Sequence, residues 1–293
     1  MHKPFSDPTS EQTDTAWRRR TQFARRHPTI IVGFSVLAAL VLLAIVAPYV
    51  TDDPRRLNPI NRLKAPSAAE WFGTDNLGRS IFDRTLYGTR ISLIVGLSVA
   101  LASMAIGLVI GLLAGYLRAV DAVVMRIMDG MMAIPSILLA IAVVALFGSS
   151  VVNVIIAITI PEIPRVVRLV RAVVLTIREQ PYIAAAVSVG TQLPKMLRVH
   201  VLPNTIAPLI VQATYVCASA VIVEAFLSFL GAGTPPEIPS WGNMVAEGRV
   251  YFQIAPWWIL FPCIGLTILV LTINVLGDGL RDTLDPRIAR RMR

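Results

Sequence analysis

Residues 91–117 read ISLIVGLSVALASMAIGLVIGLLAGYL and contain no charged side chain. A membrane-spanning helix needs roughly 20 consecutive apolar residues, so this stretch is long enough to cross a bilayer. Its glycines Gly107, Gly111 and Gly115 recur at every fourth position, a spacing typical of helices that pack closely in membranes. The stretch therefore predicts a transmembrane helix that lies tightly against a neighbour.

The chain as a whole has the composition of a membrane protein. Of its 293 residues, 55% are hydrophobic and 15% are charged, and the mean hydropathy is +0.66. Soluble domains carry about 25% charged residues, so this composition excludes an ordinary soluble domain. The two cysteines, Cys217 and Cys263, fall inside apolar stretches and are expected to be buried, inert thiols.

Six apolar stretches predict six transmembrane helices and an all-α, polytopic membrane protein. The fourth stretch is the weakest, because Pro161 and Pro164 interrupt it and Arg165 follows. The stretches are 29–50, 91–117, 131–147, 151–163, 207–230 and 257–276. They divide the chain into a cytoplasmic tail (1–28), a first transmembrane helix (29–50), an extracytoplasmic loop (51–90), a core of five transmembrane helices (91–280) with a cytoplasmic loop at 165–203, and a cytoplasmic tail (281–293).

The charges are distributed unevenly between the two sides of the membrane. With an even number of spans both termini lie on one side, and that side carries 19 Lys and Arg against 10 Asp and Glu, whereas the other carries 8 of each. The whole net charge of +9 therefore lies on the side of the termini. Positively charged loops mark the cytoplasmic side, so both termini are expected there, and the charge requires no nucleic-acid partner.

Several chemistries lack their usual residues in this sequence. There is no phosphate-binding loop, no His-Glu-x-x-His zinc helix and no Gly-x-Ser-x-Gly elbow, and the three histidines are scattered. The chain is therefore predicted to be non-catalytic and to bind no cofactor. The predicted spans hold almost no ionisable residue except Glu224, with Asp129 and Asp278 at boundaries, so an ion-coupled secondary carrier, the alternative from another class, lacks its usual residues.

Between the fourth and fifth predicted spans, residues 181–208 read PYIAAAVSVGTQLPKMLRVHVLPNTIAP. A short helix over 183–189 can end at Gly190, because glycine adopts the left-handed cap conformation, and Pro194 can begin a second helical element. Local physics alone favours an amphipathic connector exposed to the cytoplasm.

This segment resembles the EAA motif of the permeases of binding-protein-dependent ABC importers. The residues that carry the resemblance are Ala184, Ala185, Ala186, Gly190, Leu202 and Pro203. Ala184 stands where the family has Glu, and His200 stands where it has Ile. The resemblance implies that the segment docks into a cleft of an ATPase subunit. Without the Glu, docking is expected to depend more on shape and apolar packing.

Further stretches resemble the second permease subunit of dipeptide, oligopeptide and nickel importers. They are 73–96, 224–233, 239–249 and 274–287, and the first contains an outer-face motif of Gly73, Thr74, Asp75, Leu77, Gly78 and Arg79. The resemblance implies the type I ABC importer permease fold in a bacterial inner membrane, working by alternating access. It implies a homologous permease partner, an extracytoplasmic binding protein, and two cytoplasmic ATPase subunits that bind ATP and Mg²⁺. The cargo would be a di- or oligopeptide, with nickel chelates, glutathione or opines as alternatives.

Each of these stretches also has a purely structural interpretation. Asp75 and Asn76 can supply the hydrogen bonds of a capped turn, and this role is favoured over docking of a binding protein. Glu224 can neutralise an arginine or cap a helix. The tryptophans 241, 257 and 258 are expected in a belt at the membrane interface. At the C-terminal end, we expect an ion-pair set of Asp278, Arg281, Asp282 and Asp285.

Overall fold

The structure, a computed structural model, describes residues 28–51 and 53–284 as a bundle of helices. The helices are α1 (Pro28–Val50), α2 (Ile81–Tyr116), α3 (Arg118–Met132), α4 (Ser136–Phe147), α5 (Val151–Arg178), α6 (Pro181–Ser188), α7 (Leu193–Lys195), α8 (Leu202–Phe229), α9 (Trp241–Gly248) and α10 (Trp257–Leu284). No strand occurs in the described ranges, so the predicted all-α class is confirmed. The predicted N-terminal tail, up to residue 27, and the last nine residues lie outside these ranges.

Each of the six predicted stretches lies on helices. Four are long and apolar enough to cross a membrane, namely α1, α2, α10 and the helix from Leu193 to Phe229. The α3 and α4 helices are bent by 88° relative to each other and make a fifth span if they cross together. The remaining stretch lies on α5, which is not among the apolar helices and carries four arginines.

Two helices are longer than the sequence predicts. The α2 helix begins at Ile81, where the Ser80 side chain accepts a hydrogen bond from the Asp83 amide, so the predicted loop 51–90 ends ten residues earlier. The α5 helix continues through both of its prolines to Arg178, and the predicted loop 165–203 shrinks to residues 179–201. Tertiary packing against α2 here overrides the local preference of proline to end a helix.

The glycine spacing of α2 has the predicted consequence. A Cβ atom built on Gly107, Gly111 or Gly115 would lie 2.5–2.7 Å from side-chain atoms of Val166, Val170 or Val174. Because the numbers rise together along both helices, α2 and α5 run parallel. Their backbones are in close contact through these glycines, and we call this contact the glycine seam.

Both ends of the described chain lie at the same end of the bundle. Ile30 lies beside Gly279 and Gly33 beside Leu276, so α1 runs antiparallel to α10. The start of α8 at Pro203 lies near Leu284 and its later residue Phe226 lies near Cys263, so α8 also runs antiparallel to α10. Pro28 and Leu284 are therefore at the end where α8 begins. We call this end, which holds residues 179–201, the loop end, and the opposite end, which holds residues 73–80, the motif end.

The predicted tryptophan belt is wrong for two of its members. Trp241 and Trp258 are fully buried in a core with Ile81, Met244 and Leu269. The Trp241 indole donates a 2.9 Å hydrogen bond to the Thr85 carbonyl of α2. These indoles occupy the interior because α9 folds back over the ends of α2 and α10, which a linear sequence pattern does not indicate.

Candidate coupling loop and outer-face motif

The outer-face motif is a tight turn organised by the buried side chain of Asp75. Its Oδ1 atom accepts hydrogen bonds from the amides of Leu77 (2.8 Å) and Arg79 (2.9 Å). Thr74, also buried, accepts from the Lys64 amide at 2.9 Å and donates to the Asn61 carbonyl. The capped-turn interpretation is confirmed for Asp75.

Gly78 is required by the packing of this turn. Its φ is +72°, and a Cβ added there would lie 1.7 Å from the Asn58 carbonyl oxygen. Gly73 also has a positive φ, +76°. The turn is therefore held against the preceding segment by backbone contact as well as by side chains.

An ion network joins the motif to α9. The Asp75 Oδ2 atom accepts from Arg79 Nε (2.5 Å) and from Arg84 Nη1 (2.8 Å). Arg84 and Arg79 each donate a 2.8 Å hydrogen bond to Glu247 of α9. Arg84 and Asp75 are almost completely shielded from solvent, and Glu247 is partly shielded. The network is thus a structural clamp between residues 73–84 and α9.

At the loop end, α6 ends in the predicted left-handed cap. Gly190 has φ +78°, its amide donates to the Val187 carbonyl at 2.9 Å, and the Thr191 amide donates to the Ala186 carbonyl at 3.1 Å. These two bonds form a Schellman motif. The second predicted element is confirmed as α7, with Pro194 in its first turn, followed by a π-helical turn over Met196–Val201.

The α6 helix presents apolar side chains that nothing in the described chain covers. Ala184 and Ala185 are exposed, and the exposed fractions of Tyr182, Val187 and Val189 are 44%, 54% and 87%. Ile183 is the residue of α6 that is buried in the bundle. The helix is therefore anchored mainly by Ile183, with Ala186 partly buried beside it, and most of its other side chains form an exposed, largely apolar surface.

Most of the other predicted residues of the loop lie close behind α6. The ring of His200 is 6.4 Å from that of Tyr182, and Asn204 donates to the His200 carbonyl at 2.7 Å. Leu202 and Pro203 form the first turn of α8. The structure thus places α6 and the start of α8 side by side.

Two structural expectations are corrected. Glu224 is buried and accepts from the hydroxyl of Ser228 at 2.8 Å, and within the described ranges it pairs with no arginine. Asp278 accepts a 2.6 Å hydrogen bond from Tyr215 of α8 and forms no ion pair with Arg281 within the described ranges, whereas Asp285, another member of the expected ion-pair set, lies outside them. The sequence analysis did not single out the ion pair of Arg84 and Glu247. The available signal was that each is a charged residue inside an otherwise packed segment.

The described chain is thus an all-α bundle with apolar spans, an exposed helical loop at one end and a clamped turn at the other. The fold matches that of the MetNI methionine ABC transporter in its inward-facing conformation, with a TM-score of 0.50 and 21% identity over 66% of this chain and 94% of that one. This likeness shows the fold alone.

Residues 103–290 match the family described as binding-protein-dependent transport system inner membrane component, and the chain belongs to this family. Residues 12–66 match the N-terminal TM domain of oligopeptide transport permease C. The "Probable peptide ABC transporter permease protein y4tQ" of Sinorhizobium fredii is 53% identical over 96% of this chain and 95% of its own. The dipeptide permease DppC of Alkalihalophilus pseudofirmus is 43% identical over 98% and 95%. The glutathione permease GsiD of Pectobacterium atrosepticum is also 43% identical, over 93% and 90%.

Proposed function

We propose that this chain is one of two permease subunits of an ATP-driven importer of di- or oligopeptides. A homologous permease pairs with it in the membrane, an extracytoplasmic binding protein delivers the cargo at the motif end, and two cytoplasmic ATPase subunits bind at the loop end. The ATPase subunits hold ATP and Mg²⁺, and this chain contributes half of the pathway and no chemical step. The pathway opens to alternate sides as the ATPase pair closes and reopens.

The observation that carries the coupling part of the proposal is the uncovered surface of α6. An exposed apolar patch on a membrane protein, outside the spans, marks a site of protein contact. The patch lies beside Gly190, Leu202 and Pro203, which match the coupling motif of the family. Because Ala184 lacks a carboxylate, the contact with the ATPase is made by shape and apolar burial.

The proposed orientation rests on charge and on topology together. The sequence predicts the excess of Lys and Arg on the side of the termini, and Pro28 and Leu284 lie at the loop end. Positively charged segments stay on the cytoplasmic side. Both termini and the loop are therefore assigned to the cytoplasm.

Uptake by the assembled transporter tests the cargo. Vesicles containing both permeases and both ATPases, supplied with the binding protein and ATP, are expected to accumulate labelled dialanine. Omitting either the binding protein or ATP should abolish accumulation. Equal accumulation without ATP, or uptake by this chain alone along an ion gradient, would show a secondary carrier instead.

Glutathione is the second candidate cargo, because a relative named for glutathione transport is as similar to this chain as a relative named for dipeptide transport. Competition decides between them in the same vesicles. If unlabelled glutathione displaces labelled dialanine uptake and is itself accumulated at a higher rate, the cargo is glutathione. If it does neither, dipeptides are the cargo.

A further inference from the structure

The continuation of α5 through its prolines places two charged residues, Glu162 and Arg165, within the bundle. The next residue, Val166, lies against Gly107 of α2. Because an α-helix rises 1.5 Å per residue, Gly107 is about 14 Å from Tyr116 and about 24 Å from Ile91, the two ends of the uncharged part of α2. The hydrocarbon core is about 30 Å thick, so this pair lies at the depth of the hydrocarbon core.

The two charges face different surroundings. Glu162 is buried and accepts hydrogen bonds from Ser219 of α8 (3.3 Å) and from Arg165 (3.1 and 3.3 Å). The side chain of Arg165 is 56% exposed, whereas that of Glu162 is 5% exposed. Glu162 is thus enclosed by the protein, and it holds a guanidinium that projects from the bundle surface.

The exposed guanidinium of Arg165 indicates what its side of the bundle faces. Arginine inside the hydrocarbon core of a bilayer is costly, and such residues therefore face a bundle interior or a water-filled cavity. Along α8, Gln212 and Tyr215 share the face of Ser219, at helical spacings of three and four. Gln212 and Tyr215 also line a cavity of about 700 Å³ that reaches the loop end at Pro203.

The opposite face of α8 has a different character. Cys217 lies about half a helical turn from both Tyr215 and Ser219. It lines an apolar groove with Leu37, Ile94 and Leu97. The helix therefore separates an apolar surface from one that carries Gln212, Tyr215 and Ser219 among apolar side chains, which we call the polar surface.

We propose that the polar surface of α5 and α8 lines the transport pathway, and that Arg165, oriented by Glu162, is its cationic contact for the carboxylate and carbonyl oxygens of the passing solute. A guanidinium suits such oxygens because its fork of donors matches their geometry. Its partial neutralisation by Glu162 keeps the contact weak enough for release. The placement of Arg165 rests on membership of the permease family, and the class of ligand rests on the proposed peptide cargo.

Thiol labelling of the assembled transporter tests the placement. Gln212→Cys and Ser219→Cys are made separately in this chain, with the partner subunits free of cysteine. We expect both to react with membrane-impermeant methanethiosulfonates in the nucleotide-free or the vanadate-trapped state, while the natural Cys217 and Cys263 stay unmodified. ATPase activity confirms assembly of each variant. No reaction of either new cysteine in either state, or equal reaction of the natural ones, overturns the proposal.

The charge preference of the labelling tests Arg165 itself. At Ser219→Cys, we compare the rate of reaction with the anionic sulfonatoethyl reagent with that of the cationic trimethylammonium reagent, and adding Arg165→Gln should lower this anion-to-cation rate ratio by about threefold or more. Arg168→Gln is the control, because Arg168 is paired with Asp129 of α3. A ratio that Arg165→Gln leaves unchanged contradicts the assignment.

Protection by cargo separates this inference from the proposed function. Saturating dialanine, delivered by the binding protein, should slow labelling of Ser219→Cys in the complex with Arg165 and have less effect with Arg165→Gln. Charge preference without protection by dialanine refutes the peptide cargo and leaves Arg165 in the pathway.

Discussion

The outer-face motif and the coupling loop are both short segments with a left-handed glycine, yet they are built in opposite ways. In the motif, Asp75 and Arg84 are buried and tied to α9 through Glu247. In the loop, α6 is anchored by Ile183 and leaves Tyr182 and its neighbours exposed. The motif uses its polar residues for internal structure, whereas the loop leaves an apolar surface uncovered within the described residues.

The largest effect is expected where the clamp is broken. Arg84→Met removes one of the two arginines that pair with Asp75 and with Glu247. Removing one member of a buried ion pair costs about 3–5 kcal/mol. The free energy of unfolding of the purified transporter should fall accordingly, as measured by thermal denaturation in detergent. Arg90→Gln, on the same helix at an exposed position, serves as the control. If the two variants are equally stable, the motif is not a structural clamp.

The next effect concerns the caps of α6 and α8. Gly231 ends α8 at the motif end with φ +80° and the same pair of Schellman bonds as Gly190, and neither glycine has a neighbour within 4 Å of an added Cβ. A side chain in this conformation costs about 1–2 kcal/mol, or about tenfold in the population of the cap. Gly190→Val should therefore lower uptake per ATP hydrolysed by about tenfold.

Gly231→Val is the matched control for this prediction, since the strain is the same and the location is not. It should lower stability to a similar degree and leave the ratio of uptake to hydrolysis unchanged. Equal ratios in the two variants would mean that the loop has no special role in coupling.

A smaller gain is expected from restoring the family residue in the loop. Ala184→Glu adds a polar contact to the ATPase, and one hydrogen bond contributes about 0.5–1.5 kcal/mol. Titration of the ATPase subunit onto the permease pair should show an affinity about threefold higher. Ala185→Glu places the same charge in the same turn of α6 and should not reproduce the gain. If neither variant changes the affinity, Ala184 removes no useful contact.

The smallest effect is expected at the exposed tip of the motif. Leu77 is 41% exposed, close to the 44% of Tyr182 in the loop. Leu77→Ala should change stability by less than about 0.5 kcal/mol and leave uptake within twofold, because an isolated surface side chain contributes little. Tyr182→Ala, by contrast, should weaken ATPase binding, because aromatic side chains dominate protein interfaces. A loss of uptake in Leu77→Ala would instead show that the motif contacts the binding protein.

Much of the fold was predictable because a bilayer imposes long apolar helices, and glycines at every fourth position indicate close packing. The course of α5 was not predictable, since Pro161 and Pro164 break helices locally, whereas the packing of this helix on α2, α4 and α8 depends on the tertiary fold. The same extension places Arg165 on the surface of the bundle.

In the candidate sites, too, the features set by neighbouring residues were predictable, and those set by long-range contacts were not. The cap at Gly190 and the turn at Asp75 follow from short-range rules on glycine and on side-chain hydrogen bonds. The clamp was not predictable, because Arg84 and Glu247 are separated by 163 positions in the sequence. The burial of Trp241 likewise depends on how α9 folds back over the bundle.

The glycine seam gives the molecule a mechanical property. In the glycine seam, three valines of α5 each pack against a glycine of α2, namely Val166, Val170 and Val174. The two helices therefore cannot slide past each other unless these valines leave their packing positions. The α5 helix ends just before the coupling loop, and α2 begins at the outer-face motif. The pair is thus a single rigid strut, about 50 Å long. We therefore expect a displacement of α6 by the proposed ATPase subunits to move both helices together and so to reach the turn at Asp75.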